Sequence, residues 1–308
     1  MKRLWWSLAL LTGCASAPPL VRTAPTPELS HAHEAGIIST DTLAAWLERG
    51  PVRVLDVRSD LFTFLRGHLP AAQFLHTETL RATERGIPGQ LLTAAWYEPL
   101  FARLGLAEDI PVVVYSAGES ANIDATFAAY LLAGAGHPRV YVLDGGSAKW
   151  ELEHRPLVRE YTEVPTPGWP ATRRFAPEHV GLDQFRGLRE RTDVVVVDAR
   201  PLEQFTGDAG AQMRRGHIPG AISHYWADDL ERVGFGLVWR APEVLRRSYE
   251  AQGIRPEHDI IIYCNSTTEA SHVWWTLHVL LGYPSVRIYV GAWTEWAGRA
   301  DLPIATGR

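Results

Sequence analysis

Cysteine has the most nucleophilic side chain in this sequence, and it occurs twice, as Cys14 and Cys264. Two thiols allow one disulfide at most and exclude a zinc site built from four cysteines. Cys264 directly follows the apolar run 260–263, which predicts a buried β-strand. In α/β proteins, ligands bind beyond the carboxyl ends of such strands. Cys264 is therefore the candidate nucleophile of the chain.

The loop after Cys264 has features that favour a thiolate, and a helix is predicted to follow it over 270–281. Five residues form the loop: Asn265, Ser266, Thr267, Thr268 and Glu269. Backbone N–H groups of a curled loop, together with the positive end of a helix, attract negative charge to the sulfur. Such settings lower a cysteine pKa from about 8.5 to roughly 3.5–7.5. The alternative interpretation is a buried, unreactive cysteine at a strand end.

Composition limits the classes of function. The chain has 308 residues, which suggests about two domains, and 46% of its residues are apolar. Its net charge of -5 argues against a nucleic-acid-binding protein that relies on a basic surface. The sequence contains no run of about 20 apolar residues that would predict a membrane-spanning helix. No His, Asp or Glu cluster has the spacing of a metal site, so no metal is expected.

The amino terminus has the pattern of a secretory signal. Lys2 and Arg3 precede the apolar run 4–11, and Leu-Thr-Gly-Cys then ends at Cys14. This pattern resembles the bacterial lipobox, which implies a signal peptide over 1–13 and acylation of Cys14. The Pro- and Ala-rich stretch 14–36 is predicted to be a flexible tether. We therefore expect a lipid anchor on the periplasmic side of the cell envelope, in the outer membrane because Ala15 follows the cysteine. The alternative is a short buried or interfacial segment with a chance cysteine.

Downstream of residue 36, the chain carries one order of motifs twice. In each copy a strand ends in Asp-x-Arg, a Gly-His-x-Pro turn follows, and a later strand leads into a loop and a helix. The Asp, the His and the residue after the later strand are Asp56, His68 and Ser116 in the first copy, and Asp198, His217 and Cys264 in the second. These pairs lie 142, 149 and 148 positions apart, which indicates a duplication with a short insertion near 206–214.

The elements that position these residues are predicted to alternate between strand and helix. Continuous Val and Ile runs are typical of parallel strands that are buried on both faces. Such runs occur at 52–57, 112–115, 140–143, 194–197, 260–263 and 286–289. The predicted fold class is α/β, with two domains that each contain a mainly parallel sheet flanked by helices. The first spans 37–158 and lacks the cysteine, a linker covers 159–176, and the second spans 177–302 and carries Cys264.

The order of these motifs resembles the rhodanese family over about residues 37–301. The motifs that carry the resemblance are Asp-x-Arg, Gly-His-Ile-Pro-Gly-Ala, the strand-Cys-loop-helix unit, and Gly-x-Trp-x-x-Trp. The tandem arrangement is similar to thiosulfate and mercaptopyruvate sulfurtransferases, in which the first domain is inert. The resemblance implies two rhodanese-like domains and transfer of sulfane sulfur through a Cys264 persulfide. It also implies a small donor such as thiosulfate, an acceptor that is cyanide, a thiol or a protein, and no cofactor.

The Cys264 loop departs from the family pattern. Thr267 stands where glycine is usual, and Glu269 stands where Arg or Thr is common. Asn265 and Ser266 are neutral where loops specific for thiosulfate carry a basic pair. If position 267 needs a positive φ, a β-branched residue is strained there. A carboxylate of Glu269 near the sulfur would raise its pKa and repel thiosulfate, whereas in the first turn of the helix it would stabilise the helix.

Other residues near the predicted site have two interpretations. Asp198 and Arg200 either orient the loop or form a structural ion pair, and the recurrence of Asp56 in the domain without the cysteine favours the ion pair. Trp293 is predicted to belong to the core or to line the mouth of the pocket. His272, early in the helix after the loop, is predicted to pack in the core, with a role as a base as the alternative.

Three functions follow as hypotheses. The first is an enzyme, a sulfurtransferase that works through Cys264. The second is a non-catalytic binding or sulfur-delivery module at the cell envelope, which keeps the fold but has lost turnover. The third, a phosphatase of the Cys-x5-Arg type, requires an arginine at position 270, where this chain has Ala270. Phosphate chemistry needs a cationic clamp, so the sequence favours sulfur transfer.

Overall fold

Runs of valine and isoleucine form the centres of two parallel sheets in the computed structural model, which describes residues 34–117, 122–163 and 179–308. The predicted signal peptide, Cys14 and nearly all of the predicted tether lie outside the described residues, as does most of the predicted linker. Among the described residues, no helix is long and apolar enough to cross a membrane.

The first sheet has five parallel strands with helices on both faces. The strands of the first half are β1 (Glu34–Ile38), β2 (Arg53–Arg58), β3 (Ala72–His76), β4 (Arg81–Glu84), β5 (Ile87–Leu91), β6 (Val112–Tyr115) and β7 (Arg139–Leu143). The helices are α1 (Thr40–Arg49), α2 (Leu61–Arg66), α3 (Ala94–Arg103), α4 (Ile123–Gly134) and α5 (Gly146–Leu152). The sheet order is β1-β7-β6-β2-β3, and β4 and β5 form a separate antiparallel hairpin.

The second half repeats this arrangement. Its strands are β8 (His179–Val180), β9 (Val194–Asp198), β10 (Ile222–Ser223), β11 (Leu230–Val233), β12 (Gly236–Trp239), β13 (Asp259–Tyr263) and β14 (Val286–Tyr289). The helices are α6 (Leu182–Leu188), α7 (Leu202–Thr206), α8 (Pro242–Ala251), α9 (Thr268–Trp274), which continues as a π-helical turn over Trp275–Leu280, and α10 (Ala292–Gly298). The sheet order β8-β14-β13-β9-β10 matches the first sheet strand for strand, and β11 and β12 form the second hairpin.

The sequence pattern explains the central strands and the start of the first sheet. Every residue of β2 and β6 is buried, because helices cover both faces of a parallel sheet. Ser39 caps α1 by accepting a hydrogen bond from the N–H of Thr42 at 3.1 Å. Strand β1 begins at Glu34, inside the segment that the sequence assigns to the tether, since it pairs in register with β7.

The two halves share one hydrophobic core and exchange hairpins. One buried cluster contains residues of both sheets, and the rings of Tyr130 on α4 and Trp274 on α9 meet edge to face at 5.1 Å. The β4–β5 hairpin contacts α10 of the second half, and β12 of the second hairpin contacts α5 of the first. The sequence pattern did not predict either hairpin, and the first of them reaches the Cys264 loop.

Candidate active site

Cys264 lies where the sequence predicts it, at the carboxyl end of the central strand β13. Its neighbours β9 and β14 pair with β13 on either side, so the loop after it opens at the middle of the sheet edge. The carbonyl of Cys264 accepts a hydrogen bond from the N–H of Trp293 at 2.8 Å. The side chain is 1% exposed. A donor molecule therefore reaches the sulfur only through movement of the loop or of the side chains above it.

Three backbone N–H groups form a cradle for the sulfur. They belong to Ser266, Glu269 and Ala270, and each of these hydrogen bonds lowers the pKa of Cys264. In the first domain a hydroxyl stands at this position, and the N–H of Ala125 donates to the Ser116 Oγ at 2.8 Å. A backbone donor thus meets the side chain at the strand end in both halves, but only the second half holds a thiol there.

The thiol form of Cys264 is favoured despite this cradle. Burial is the largest cause and the charge of Glu269 the second, and together they raise the pKa of Cys264 to about 12. The loop sequence alone predicts the opposite direction, because it does not reveal that the sulfur is removed from water. In the resting protein the sulfur therefore carries its proton.

Glu269 faces the sulfur rather than solvent. It is partly buried in the first turn of α9, where burial raises its pKa and the hydrogen bond from the Cys264 thiol lowers it. The backbone N–H of Asn265 also donates to the carboxylate. The sequence suggests either a carboxylate beside the sulfur or one that stabilises the first turn of the helix, and Glu269 occupies both positions at once. The Cys264 thiol and the Glu269 side chain are thus joined by a hydrogen bond.

Thr267 adopts the backbone conformation that the family usually gives to glycine. Its φ is 82°, its side chain is buried, and its Oγ1 donates to the carbonyl of Val290 at 3.4 Å. A β-branched residue in this region of φ stores strain of about 1–3 kcal/mol. The loop is therefore held by its surroundings, as the sequence predicts for a positive φ at this position.

Asp198 and Arg200 form a buried ion pair beneath the loop. The Arg200 Nη2 lies 2.5 Å from the Asp198 Oδ2, which also accepts a hydrogen bond from the Tyr263 hydroxyl at 2.6 Å. The first domain repeats this unit, with Asp56 bound by Arg58 and by a tyrosine hydroxyl. Because the unit recurs where there is no cysteine, its main role is structural.

Trp293 and His272 are both buried in packing positions. Trp293 is 1% exposed and lies over the Arg200 guanidinium at 4.4 Å, so it does not line an open pocket mouth. Of the two interpretations from the sequence, the core position is the one observed, since α10 turns the ring into the core. His272 stacks on Trp239 at 4.7 Å, and burial lowers its pKa to about 4. That environment gives the imidazole a packing role.

The remaining loop residues bind to neighbouring elements. Asn265 Nδ2 donates to the Gln204 Oε1 at 3.0 Å, which ties the loop to α7. Ser266 and Thr268 accept hydrogen bonds from Arg81 of the first domain, at 3.3 and 2.9 Å. No local pattern identifies Arg81 as a neighbour of the loop, because it stands in a hairpin about 180 positions away. Among the described residues, no group of three or more His, Cys, Asp or Glu has the geometry of a metal site.

Sequence and structure comparisons point to one family. The family model for the rhodanese-like domain matches residues 39–153 and 182–299. The chain is 33% identical over 300 residues to the sulfur carrier protein TtuD of Thermus thermophilus, covering 91% of this chain and 99% of that protein. It is 29% identical over 293 residues to the thiosulfate sulfurtransferase of Corynebacterium glutamicum, covering 90% of this chain and 92% of that one.

A solved structure shares the fold. It is a variant of EanB in complex with ergothioneine covalently linked to a persulfide cysteine, and it superposes with a TM-score of 0.78. The match is 22% identical and covers 88% of this chain and 70% of that chain. A second solved structure, YnjE, gives a TM-score of 0.77 at 21% identity and covers 88% of this chain and 68% of that chain.

Proposed function

Since this chain belongs to the rhodanese family and is a sulfurtransferase with two rhodanese-like domains, we propose that it transfers sulfane sulfur through a persulfide on Cys264. One observation carries the proposal. The Cys264 sulfur lies at the end of β13 within three converging N–H groups, from Ser266, Glu269 and Ala270. Such donors stabilise negative charge on the sulfur as it attacks and again when it leaves.

Glu269 lies where it can accept the proton of the buried thiol. As the Cys264 sulfur attacks the outer sulfur of the donor, the thiol proton passes to the Glu269 carboxylate. A new S–S bond forms on Cys264, and the donor's own bond to that outer sulfur breaks, with its electron pair leaving on the departing group. A thiolate or cyanide then attacks the outer sulfur of the persulfide. The Cys264 sulfur leaves with the bonding pair and regains the proton from Glu269.

The charge beside the sulfur selects among donors. The Glu269 carboxylate repels a dianion, so it disfavours thiosulfate relative to donors of lower charge. Persulfides of small thiols or of proteins carry the same transferable sulfur with a single negative charge on the sulfur chain. We therefore propose a persulfide-type donor, small or protein-borne, and a thiol as the natural acceptor.

A sulfur-delivery module is the second candidate. The buried Cys264 thiol, with its pKa raised to about 12, favours a role that holds sulfur rather than one that turns it over quickly. The name of the relative from Thermus thermophilus, a sulfur carrier protein, fits such a role. The two candidates differ in turnover, because a carrier transfers one sulfur per partner encounter and an enzyme transfers many from free donor.

Steady-state turnover separates the two. The full chain with Cys14→Ser keeps Cys264 as its one thiol, and Cys264→Ser in the same background is the matched control. We expect many equivalents of sulfur per protein to reach cyanide or a thiol from polysulfide above the uncatalysed rate, and the control to add nothing to that rate. A yield that stops at one equivalent would assign the chain to the delivery role. Equal rates in both proteins would reject Cys264 as the carrier.

We also propose that acylated Cys14 anchors the protein at the periplasmic face of the outer membrane. The support is the lipobox pattern of the sequence, which ends at Cys14. Metabolic labelling with a radioactive fatty acid tests it. Label should enter the parent protein and be absent from Cys14→Ser, and an unlabelled parent would contradict the anchor.

A further inference from the structure

The β4–β5 hairpin of the first domain touches the Cys264 loop at two points. Arg81, at the start of β4, donates from its Nη1 to the Thr268 Oγ1 at 2.9 Å and to the Ser266 Oγ at 3.3 Å. At Gly89 on β5, an added Cβ would lie 2.9 Å from the Ser266 side chain. The hairpin therefore packs against the loop with no space between them.

These contacts involve the loop residues whose N–H groups surround the Cys264 sulfur. The N–H of Ser266 is one of the three donors in the cradle, and the other two belong to the first turn of α9, which Thr268 begins. A clamp on the hydroxyls of Ser266 and Thr268 thus fixes all three donors. Cys264 is also among the groups that raise the pKa of Arg81, so the guanidinium lies within electrostatic reach of the sulfur.

Arg81 is held in place by its own domain. Glu78 binds the guanidinium through two hydrogen bonds, one of them 2.9 Å from the Nε, and the Arg81 side chain is 18% exposed. Asp124 on α4 is a further acidic neighbour. The other cation near the loop, Arg200, is buried and bound to Asp198. Arg81 is therefore held by Glu78 while it contacts the loop, and unlike Arg200 it keeps part of its side chain exposed to solvent.

The duplication provides an internal comparison. The second hairpin also packs on the opposite domain, with the N–H of Trp239 donating to the Asp144 Oδ1 at 3.1 Å. This contact joins a backbone N–H to a carboxylate and involves no arginine. Packing of a hairpin on the opposite domain does not require an arginine.

We propose that Arg81 of the first domain is a positioning and specificity-determining residue for Cys264. It fixes the loop through Ser266 and Thr268, and its charge draws anionic reagents to a sulfur that Glu269 would otherwise shield. The proposal rests on the proposed function, in which Cys264 is the reacting group. Through Arg81, the domain without a cysteine contributes directly to the reaction at Cys264.

Alkylation of Cys264 tests this without requiring sulfur transfer. The full chain with Cys14→Ser is treated with iodoacetate, which is anionic, and with iodoacetamide, which is neutral and of similar size. The variants are Arg81→Gln and Arg81→Lys, and the control is Arg85→Gln, on the same hairpin but with a side chain that is 89% exposed. The ratio of the two rate constants is measured by mass spectrometry of the Cys264 peptide.

We expect Arg81→Gln to lower the iodoacetate-to-iodoacetamide ratio roughly ten-fold, about the value of one charge-assisted hydrogen bond. Arg81→Lys should restore most of the ratio, and Arg85→Gln should leave it unchanged. An unchanged ratio in Arg81→Gln, or an equal slowing of both reagents that lysine does not rescue, would overturn the specificity role. If the ratio shifts as expected but the protein never forms a persulfide, the proposed function is refuted. The role of Arg81 toward the Cys264 sulfur then still holds.

Discussion

Replacement of Glu269 by glutamine should lower the pKa of Cys264 and so increase the fraction of thiolate. Glutamine keeps the shape and the hydrogen-bonding capacity of the side chain but removes its charge. In the native protein, burial and the Glu269 charge together raise the pKa of Cys264 to about 12, while three N–H groups act in the opposite direction. Removal of the carboxylate leaves burial as the one large cause that favours the thiol.

The size of the effect follows from the contact between the two groups. A hydrogen-bonded carboxylate and sulfur lie roughly 4 Å apart, where two unit charges interact by about 4 kcal/mol at an effective dielectric constant of about 20. This energy equals about 3 pKa units. Glu269 is partly exposed, so solvent screens the pair, and we expect the pKa of Cys264 to fall by about 1 to 3 units. At about pH 8 the thiolate fraction then rises at least roughly ten-fold.

The assay is the pH dependence of iodoacetamide alkylation, measured on the Cys264 peptide. Glu269→Gln should react at least roughly ten-fold faster at about pH 8 and should reach its plateau at lower pH. Glu243→Gln is the control, because Glu243 is also in the first turn of a helix but is exposed. A variant that reacts as slowly as the parent across the pH range, while melting at the same temperature, would refute the electrostatic coupling of Glu269 to the sulfur.

Three further predictions concern the free energy of unfolding, measured by chemical denaturation. Burial raises the pKa of Asp144 to about 6, so ionisation of Asp144 costs stability above about pH 6 and costs nothing below about pH 4. Asp144→Asn should therefore stabilise the protein by about 2 kcal/mol near pH 7.5 and have no effect near pH 4, and equal effects at both pH values would contradict this. Gly216→Ala should destabilise by more than about 3 kcal/mol, because its Cβ would lie 2.1 Å from a carbonyl oxygen at a φ of 121°. Gly220→Ala, at a φ of 85° with open space, should cost only about 1 kcal/mol, and the reverse order of the two losses would contradict this steric explanation. Asp56→Ala and Asp198→Ala should each lower the free energy of unfolding by about 3–5 kcal/mol, since each leaves a buried arginine unpaired. A large loss for Asp198→Ala alone would contradict the same structural role for both ion pairs.

The sheets and the position of the nucleophile were predictable from local sequence. Strands Val112–Tyr115 and Val286–Tyr289 have the predicted bounds, because a continuous β-branched run buried on both faces leaves little choice of structure. The position of Cys264 was predictable for the same reason, since it directly follows the buried apolar run of β13. The strained conformation of Thr267 was also predictable, because a β-branched residue stands at a position where the loop needs a positive φ.

The environment of the sulfur was not predictable from local sequence. Whether Cys264 is exposed depends on α10 and on the first-domain hairpin, which lie far away along the chain. Arg81 stands in a short hairpin with alternating, half-exposed residues, a pattern that does not specify which surface it will meet. Burial, the largest cause of the raised pKa of Cys264, follows from those long-range contacts, whereas Glu269, the second cause, was visible in the loop sequence.

The intact mass of the Cys14→Ser protein after exposure to polysulfide tests the central claim most directly. A persulfide on Cys264 adds the mass of one sulfur atom, which cyanide or a thiol then removes, and Cys264→Ser gains nothing under the same conditions. Parallel samples with thiosulfate, mercaptopyruvate and the persulfide of a small thiol identify the donor, and we expect less sulfur to be gained from thiosulfate than from the small-thiol persulfide. If no donor adds sulfur while iodoacetamide still labels Cys264, sulfur transfer through a Cys264 persulfide is contradicted.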